Sequence, residues 1–348
     1  MKNLRVMADA TLPDLELWFP QPFKLTLYNT RSIEQIDLND HEILLCRSTL
    51  RVNEQLSGIK AIECVATASS GTDHILANLL QQQNITLFDA KGSNAHAVAD
   101  YILASIAHLT QRGLLKGNRA AVVGAGHVGS QVAVKLRMIG FEVILIDPVK
   151  QFNQPDFISG ELSDLSTCDL ICIHANLHNT QPWPSQNLFN EDLLSTLKPD
   201  VVLMNAARGG IVNEVDLLNT PPSMIYCTDV YANEPSPSSE IIQRATICTP
   251  HIAGHCIEAK TRAVIQLSAQ IHQHYGLECR QVSPVFPLTK KINISKNWQE
   301  KILDHYNPGI ETATLKAAND SKNVFLEQRA AHIFRHEIQW TSTECKIK

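Results

Sequence analysis

The chain has 348 residues, a formal net charge of -5, 44% hydrophobic and 19% charged residues, an ordinary globular composition that excludes a disordered chain. No Lys/Arg run exceeds Lys290–Lys291 and no stretch approaches 18 uninterrupted apolar residues, so neither nucleic acid nor a membrane is an expected partner. With Asp9, Asp14 and Glu16 breaking the N-terminal segment, a cytoplasmic protein without a signal peptide is expected, built as two or three domains.

From Leu4 to about Ala90, the runs LRVMAD, KLTLYN, EILLC, AIECVATAS and ITLFDA read as strands separated by turns or helices, an α/β layout. Residues 94–111 then carry a helical apolar face through Val98, Ile102, Leu103, Ile106 and Leu109, long enough to pass from one domain to another. Next come AAVVGAGHVG, a helix-like stretch to Gly140, and EVILID, followed by the apolar strands DLICIHA, VVLMNAA, MIYCTDV and ATICTP. Such alternation requires crossovers, and crossovers mean a mostly parallel, doubly wound sheet. Residues 258–275 form a second long helical segment able to return the chain to the first domain. The expected domains are therefore 1–95 with 258–284, 96–257, and a short α/β appendage at 285–348. That last segment must bury Trp298, Ile302, Leu303, Tyr306, Val324, Phe325, Ile333 and Phe334 on another surface, of its own subunit or of a partner.

The nine cysteines are scattered singly, as expected of core residues in a reducing compartment. Cys168 and Cys172 lack zinc spacing, and His272 with His274 at a helix end reads as solvated, so no metal is expected.

The pattern Gly124-Ala-Gly126-His127-Val128-Gly129 follows a strand and opens a helix. In that context Gly124 can turn tightly, Gly126 can admit a pyrophosphate, and Gly129 can let helix and strand pack closely. The helix N-terminus, through His127 and Val128, offers N–H groups to phosphate. Asp147 ends the next strand 23 residues after Gly124, where it can accept from both ribose hydroxyls and would repel a 2'-phosphate, which favours NAD over NADP. A lone acidic residue at a strand end would otherwise be a solvated one.

Three later stretches, NAARGGIVNE, DVYANEP and TPHIAG, each follow a strand, so Arg208, Asp229, Glu234 and His251 can gather at the carboxyl ends of the sheet. Oxidising a secondary alcohol needs a base for its proton, and histidine titrates in the right range. Glu234 can favour the imidazolium and orient the ring, and Arg208 can hold a substrate carboxylate by two parallel hydrogen bonds.

These stretches resemble the D-isomer specific 2-hydroxyacid dehydrogenases over roughly residues 40–275, with Arg208, Glu234 and His251 matching the catalytic arginine, glutamate and histidine. The resemblance implies a Rossmann-type NAD domain, a smaller flavodoxin-like substrate domain, and NAD contacts from Asp147, Ala175, Asp229 and Gly254. The stretches CRSTLRVNEQL, ATASSGTDH and KGSNAHAVADY, with the extra segment ending FLEQRAAHIFRHEIQW, resemble the branch that acts on a phosphorylated hydroxyacid. That implies a homodimer formed through the C-terminal segment, with Ser48 and Ser69 on the substrate.

The chain departs from the family pattern at several places. Ser69 replaces a threonine, and His174-Ala175-Asn176-Leu177 stands where HTPL is usual, so a cofactor-facing hydroxyl is missing at Ala175. His255 takes the position of a substrate-binding tyrosine, Lys91 that of a proline, and the C-terminal segment is short. His255 and Lys91 could supply positive charge to a phosphate. A related dehydrogenase of another small acid, such as glycerate, and an NAD-sensing co-repressor are the competing readings; the complete Arg208, Glu234 and His251 set speaks against the second.

Overall fold

A computed structural model of the chain describes residues 3–29, 36–279, 291–294, 297–332 and 335–341. Two compact units divide it: residues up to Asn94 with those from Ile257 onward, and residues from Ala95 to Cys256 with the C-terminal segment.

The first unit runs β1 (Leu4–Asp9), α1 (Leu15–Trp18), β2 (Phe23–Tyr28), β3 (Ile43–Cys46), β4 (Cys64–Thr67), α2 (Ala77–Gln82) and β5 (Thr86–Asp89), and ends with the helix Ile257–His274, α9 in chain order. All pairings are parallel, and the order β2-β1-β3-β4-β5 is the flavodoxin-like one. In β3, Ile43 and Leu45 enter one core while Leu44 and Cys46 enter the other, so both faces are covered and the strand reads as an unbroken apolar run. Ala263, Val264, Leu267 and Ile271 of α9 close the first of these faces.

His272 corrects the sequence reading. It is 3% exposed rather than solvated: its Nδ1–H donates to the Ser268 carbonyl at 2.7 Å, and its ring lies 4.9 Å from that of Phe23. A position near a helix end says nothing about what packs there; here the aromatic residues around α1 do.

The second unit contains α3 (Ala95–Gln111), β6 (Arg119–Val123), α4 (His127–Met138), β7 (Glu142–Ile146), α5 (Pro148–Asn153), β8 (Leu170–Ile173), α6 (Glu191–Thr196), β9 (Val202–Asn205), α7 (Glu214–Leu218), β10 (Ile225–Thr228), α8 (Ser239–Arg244) and β11 (Ile247–Cys248). Its sheet is parallel with order β11-β10-β9-β8-β6-β7. Strand succession reverses between β6 and β8, which opens a crevice beyond their carboxyl ends, the usual ligand position in such sheets.

After it come β12 (Lys291–Asn293), α10 (Trp298–His305), α11 (Pro308–Lys316), α12 (Ser321–Ala331) and β13 (Gln339–Thr341), with β12 and β13 paired in parallel. Of the residues expected to need cover, Ile302, Tyr306 and Phe325 are buried within this unit, while Ile333 and Phe334 lie outside the described residues. Helix α3 explains where they go. It is buried nearly all round rather than along one stripe, because the sheet covers one side and the C-terminal segment, notably Ile302 and Tyr306, another. Asp100 of α3 ties that segment down: it pairs with Lys135 and accepts from the Ile338 N–H at 2.9 Å and the Trp340 indole at 2.8 Å. Among the described residues no helix is long and apolar enough to cross a membrane.

Candidate active site

The glycine turn lies at the switch point. Gly124 has φ +93°, and a Cβ there would stand 2.4 Å from the Ala175 nitrogen, so a side chain would push apart the ends of β6 and β8. A Cβ on Gly129 would stand 1.9 Å from the Gly124 carbonyl, whereas one on Gly126 would meet nothing within 4 Å. Two of the glycines thus serve packing, and the third faces open space where a ligand group fits. No side chain caps α4 at Gly126, which leaves the N–H groups of its first turn, from His127 and Val128, for an anion.

Asp147 organises this turn: one carboxylate oxygen accepts from Ala125 N–H and the other from Lys150 N–H, each at 2.8 Å. The Lys150 ammonium donates to the Ala125 carbonyl at 2.8 Å and lies 4.6 Å from the Phe157 ring centre. Next to Asp147 a cavity of about 530 Å³ is lined by residues including Pro148, Phe152, Gly160, Leu162 and Trp183, with the two aromatic rings 5.8 Å apart. An open glycine position, an uncapped helix start and an apolar cavity beside a carboxylate together fit a dinucleotide.

Behind Ala175, His174 is half-buried, but both its ring nitrogens are buried and neither has a partner among the described residues. Burial pushes its pKa down to about 3, so the ring is neutral.

His251 sits on the loop after β11 with φ +55°, a conformation a non-glycine residue adopts only when its surroundings impose it. Its Nδ1 lies 2.6 Å from Glu234 Oε2, and the other Glu234 oxygen accepts from Tyr231 N–H at 3.0 Å. Burial works against ionisation of Glu234, but the charge and hydrogen bond of His251, helped by Tyr231 N–H, outweigh it and hold the carboxyl below its ordinary range. Glu234 is therefore an anionic acceptor, which keeps the proton on Nδ1 and leaves Nε2 for chemistry.

Asp229 is 1% exposed and opens the loop after β10 that carries Glu234. It accepts from Thr249 Oγ1 at 2.7 Å and from the N–H groups of Ile252 and Ala253, both at 2.8 Å. Burial raises its pKa against the opposing pull of His251 and these donors. Gly254 and His255 follow directly, and His255 N–H donates to the Ile252 carbonyl at 2.9 Å.

Arg208 belongs to the turn after β9. The Asn205 side chain clasps that turn, donating to the Arg208 carbonyl at 3.0 Å and accepting from Ala207 N–H at 3.1 Å. A Cβ on Gly209 would stand 1.9 Å from the Tyr231 carbonyl, so this glycine brings the arginine turn against the loop that carries Glu234. Sequence reasoning left out Gly209, Asn205, Thr249 and Tyr101, whose hydroxyl lies 2.7 Å from Thr249 Oγ1. The first glycine of Arg208-Gly209-Gly210 was the one available signal.

Ser48 and Ser69 lie in the other unit, where Ser69 Oγ accepts Ser48 N–H at 3.1 Å. Lys91 is paired with Asp89 at 2.9 Å, so its charge is already partnered. No group of three or more His, Cys, Asp or Glu among the described residues could hold a metal.

Residues 98–253 match the family model of the D-isomer specific 2-hydroxyacid dehydrogenase, NAD binding domain, so the second unit is the NAD-binding part of a 2-hydroxyacid dehydrogenase. In solved structures, the NAD-bound 3-phosphoglycerate dehydrogenase of Entamoeba histolytica superposes with TM-score 0.66 at 19% identity, covering 79% of this chain and 96% of that one. The NAD complex of formate dehydrogenase from Staphylococcus aureus gives 0.62 at 21% identity, covering 78% and 96%; both likenesses concern the fold.

Closer relatives narrow the class. Erythronate-4-phosphate dehydrogenase of Legionella pneumophila (strain Lens) is 45% identical over 96% of this chain and 95% of its own length. The Coxiella burnetii (strain RSA 331) enzyme of the same name is 35% identical over 90% and 87%. The chain belongs to the erythronate-4-phosphate dehydrogenase family.

Proposed function

We propose that the chain oxidises 4-phospho-D-erythronate to 2-oxo-3-hydroxy-4-phosphobutanoate, a step in making pyridoxal 5'-phosphate. The 2.6 Å pairing of His251 with Glu234, in a chain 45% identical to a curated erythronate-4-phosphate dehydrogenase, carries this reading. When bound, NAD accepts the hydride from the carbon bearing the 2-hydroxyl. The turn Gly124–Gly129 with His127 and Val128 would hold its phosphates, Asp147 its ribose, and Ala175, Asp229 and Gly254 would line the inner end of its site.

His251 Nε2 takes the hydroxyl proton while Glu234 stabilises the imidazolium that forms. Arg208 holds the substrate carboxylate in a fixed plane and draws charge toward the new carbonyl. Ser48, Ser69 and His255 complete the substrate contacts, and Arg47, which donates to Thr11 Oγ1 at 2.7 Å, offers a cation beside Ser48 for the phosphate. The reading includes a homodimer, supported by the exposed Ile310 and Leu326 on α11 and α12, and a cytoplasmic setting, supported by Cys46, Cys64, Cys168, Cys172, Cys227 and Cys248, which are buried singly as thiols.

Purified protein with NAD should produce NADH from 4-phospho-D-erythronate far faster than from glycerate. His251→Ala should abolish the signal. Equal or reversed rates for glycerate would retain the dehydrogenase and reject the substrate, and sedimentation as a monomer would reject the dimer.

A further inference from the structure

The loop that carries His251 is gripped from two sides, and only one grip comes from the dinucleotide fold itself. Asp229 takes the N–H groups of Ile252 and Ala253. The carbonyl groups of the same loop go to Arg335, from the segment leading into β13. Its guanidinium donates through Nη2 to the Ala253 carbonyl and through Nε to the His255 carbonyl at 3.1 Å. A further bond from Nη2 reaches the Ala97 carbonyl on α3 at 3.3 Å, and the guanidinium carbon lies 4.7 Å from the centre of the Tyr306 ring.

Arg335 is only 9% exposed, and a buried guanidinium is costly unless its charge is met: here Nε and Nη2 have carbonyl partners and the Tyr306 ring faces the group, while Nη1 has no partner among the described residues. Its planar fork suits carbonyls converging from different strands of chain, which a lysine ammonium would meet as a point charge. The backbone it holds begins two residues beyond His251, whose φ of +55° persists only if neighbouring structure over-determines it.

We infer that Arg335 is a positioning residue for the reaction: it locks the 253–255 backbone so that His251 keeps its Nδ1 on Glu234 and its Nε2 toward substrate. The C-terminal segment thereby helps to build the active site of its own chain. Helix α12 adds to this, since Phe325 packs edge-on against Tyr231 at 5.9 Å, behind the residue whose N–H holds Glu234. The inference rests on His251 being the base, and it concerns how that base is held.

The test compares Arg335→Met, Arg335→Lys and Trp340→Phe in the full-length protein, with His251→Ala as reference. Trp340→Phe removes the indole bond to Asp100, anchoring the same segment without touching the loop. Arg335→Met should lower kcat about 10- to 100-fold, more than it raises KM for the hydroxyacid or the Kd for NAD, to which Gly254 and His255 of the same backbone contribute, because a base displaced by about 1 Å loses rate more than binding. Arg335→Lys should recover part of kcat, as should added guanidinium with an Arg335→Ala protein, and Trp340→Phe should leave kcat unchanged.

Wild-type kcat in Arg335→Met, or a parallel fall in NAD binding and kcat in both Arg335→Met and Trp340→Phe, would overturn the inference in favour of a merely structural arginine. If Arg335→Met does not fold, guanidinium rescue of Arg335→Ala and the kcat of Arg335→Lys decide: no gain with guanidinium and a wild-type kcat in the lysine protein would overturn it. Activity surviving in His251→Ala is a separate failure, that of the proposed base.

Discussion

The glycine turn and the His251 loop lie at the carboxyl ends of one sheet, yet they are held in different ways. The turn is held by close neighbours: Ala125 N–H binds Asp147 at a separation of 22 residues, and Lys150 reaches back over 25. The His251 loop is held across the chain, by Asp229 over 23 or 24 residues, by Tyr101 through Thr249 over 148, and by Arg335 over 82. A cofactor site of the first kind is preformed by one strand-turn-helix-strand unit. The second kind exists only once several distant segments have packed, so its chemistry depends on their stability as well as on its own residues.

Substitutions at the two sites should separate these modes. The largest effect is expected at the base: His251→Ala should lower kcat about 1,000-fold, and Glu234→Gln about 10- to 100-fold, with NAD affinity retained in both. Steady-state rates with direct NAD titration check this. A joint loss of cofactor binding would mean that the loop and the turn are one cooperative unit. Because the Glu234 carboxyl is held low, its support of the folded loop is fully present above the ordinary carboxylate range and is lost only as pH falls through the depressed value.

Next come the glycines. Gly129→Ala drives a Cβ to 1.9 Å from the Gly124 carbonyl and should cost about 1–3 kcal/mol of stability, read from the urea midpoint. Gly126→Ala meets only open space, so stability should hold within about 1 kcal/mol while NAD affinity falls roughly tenfold. Unchanged NAD affinity in Gly126→Ala would remove the pyrophosphate from that position.

The smallest expected effect belongs to His174. With its pKa pushed down to about 3 from an ordinary 6.5, the folded protein excludes a proton that the unfolded chain accepts. Stability is therefore fully present above 6.5 and falls as pH drops toward 3, with a slope of up to about 1.4 kcal/mol per pH unit. His174→Leu should flatten that slope in unfolding midpoints measured between pH 6.5 and 4. An unchanged slope would show that the ring finds a proton partner in the folded state.

Much of this protein is readable along the chain because local chemistry determined it. The inner strands of both sheets are covered on two faces, so they appear as short unbroken apolar runs. Gly124, Gly126 and Gly129 keep a spacing that becomes informative because a strand precedes it and a helix follows, and Asp147 stands at the end of the next strand. Arg208, Glu234 and His251 each follow a strand and so point to the end of the sheet where ligands bind.

Other features had no local signal. His272 was misplaced because neither Phe19 nor Phe23 is near it in sequence. Likewise the sequence puts Asp229 at the carboxyl end of the sheet, but only the folded chain shows that its carboxylate is taken up by two backbone N–H groups and the Thr249 hydroxyl beyond β11. Arg335 lies in a polar stretch that sequence alone assigns to an appendage. The sequence by itself determined which groups could do the chemistry, because residue type and strand ends are local properties. Only the tertiary structure decided how His251 is aimed, because its backbone angle and its pairing with Glu234 are enforced by carbonyl and N–H partners from parts of the chain that meet only after folding.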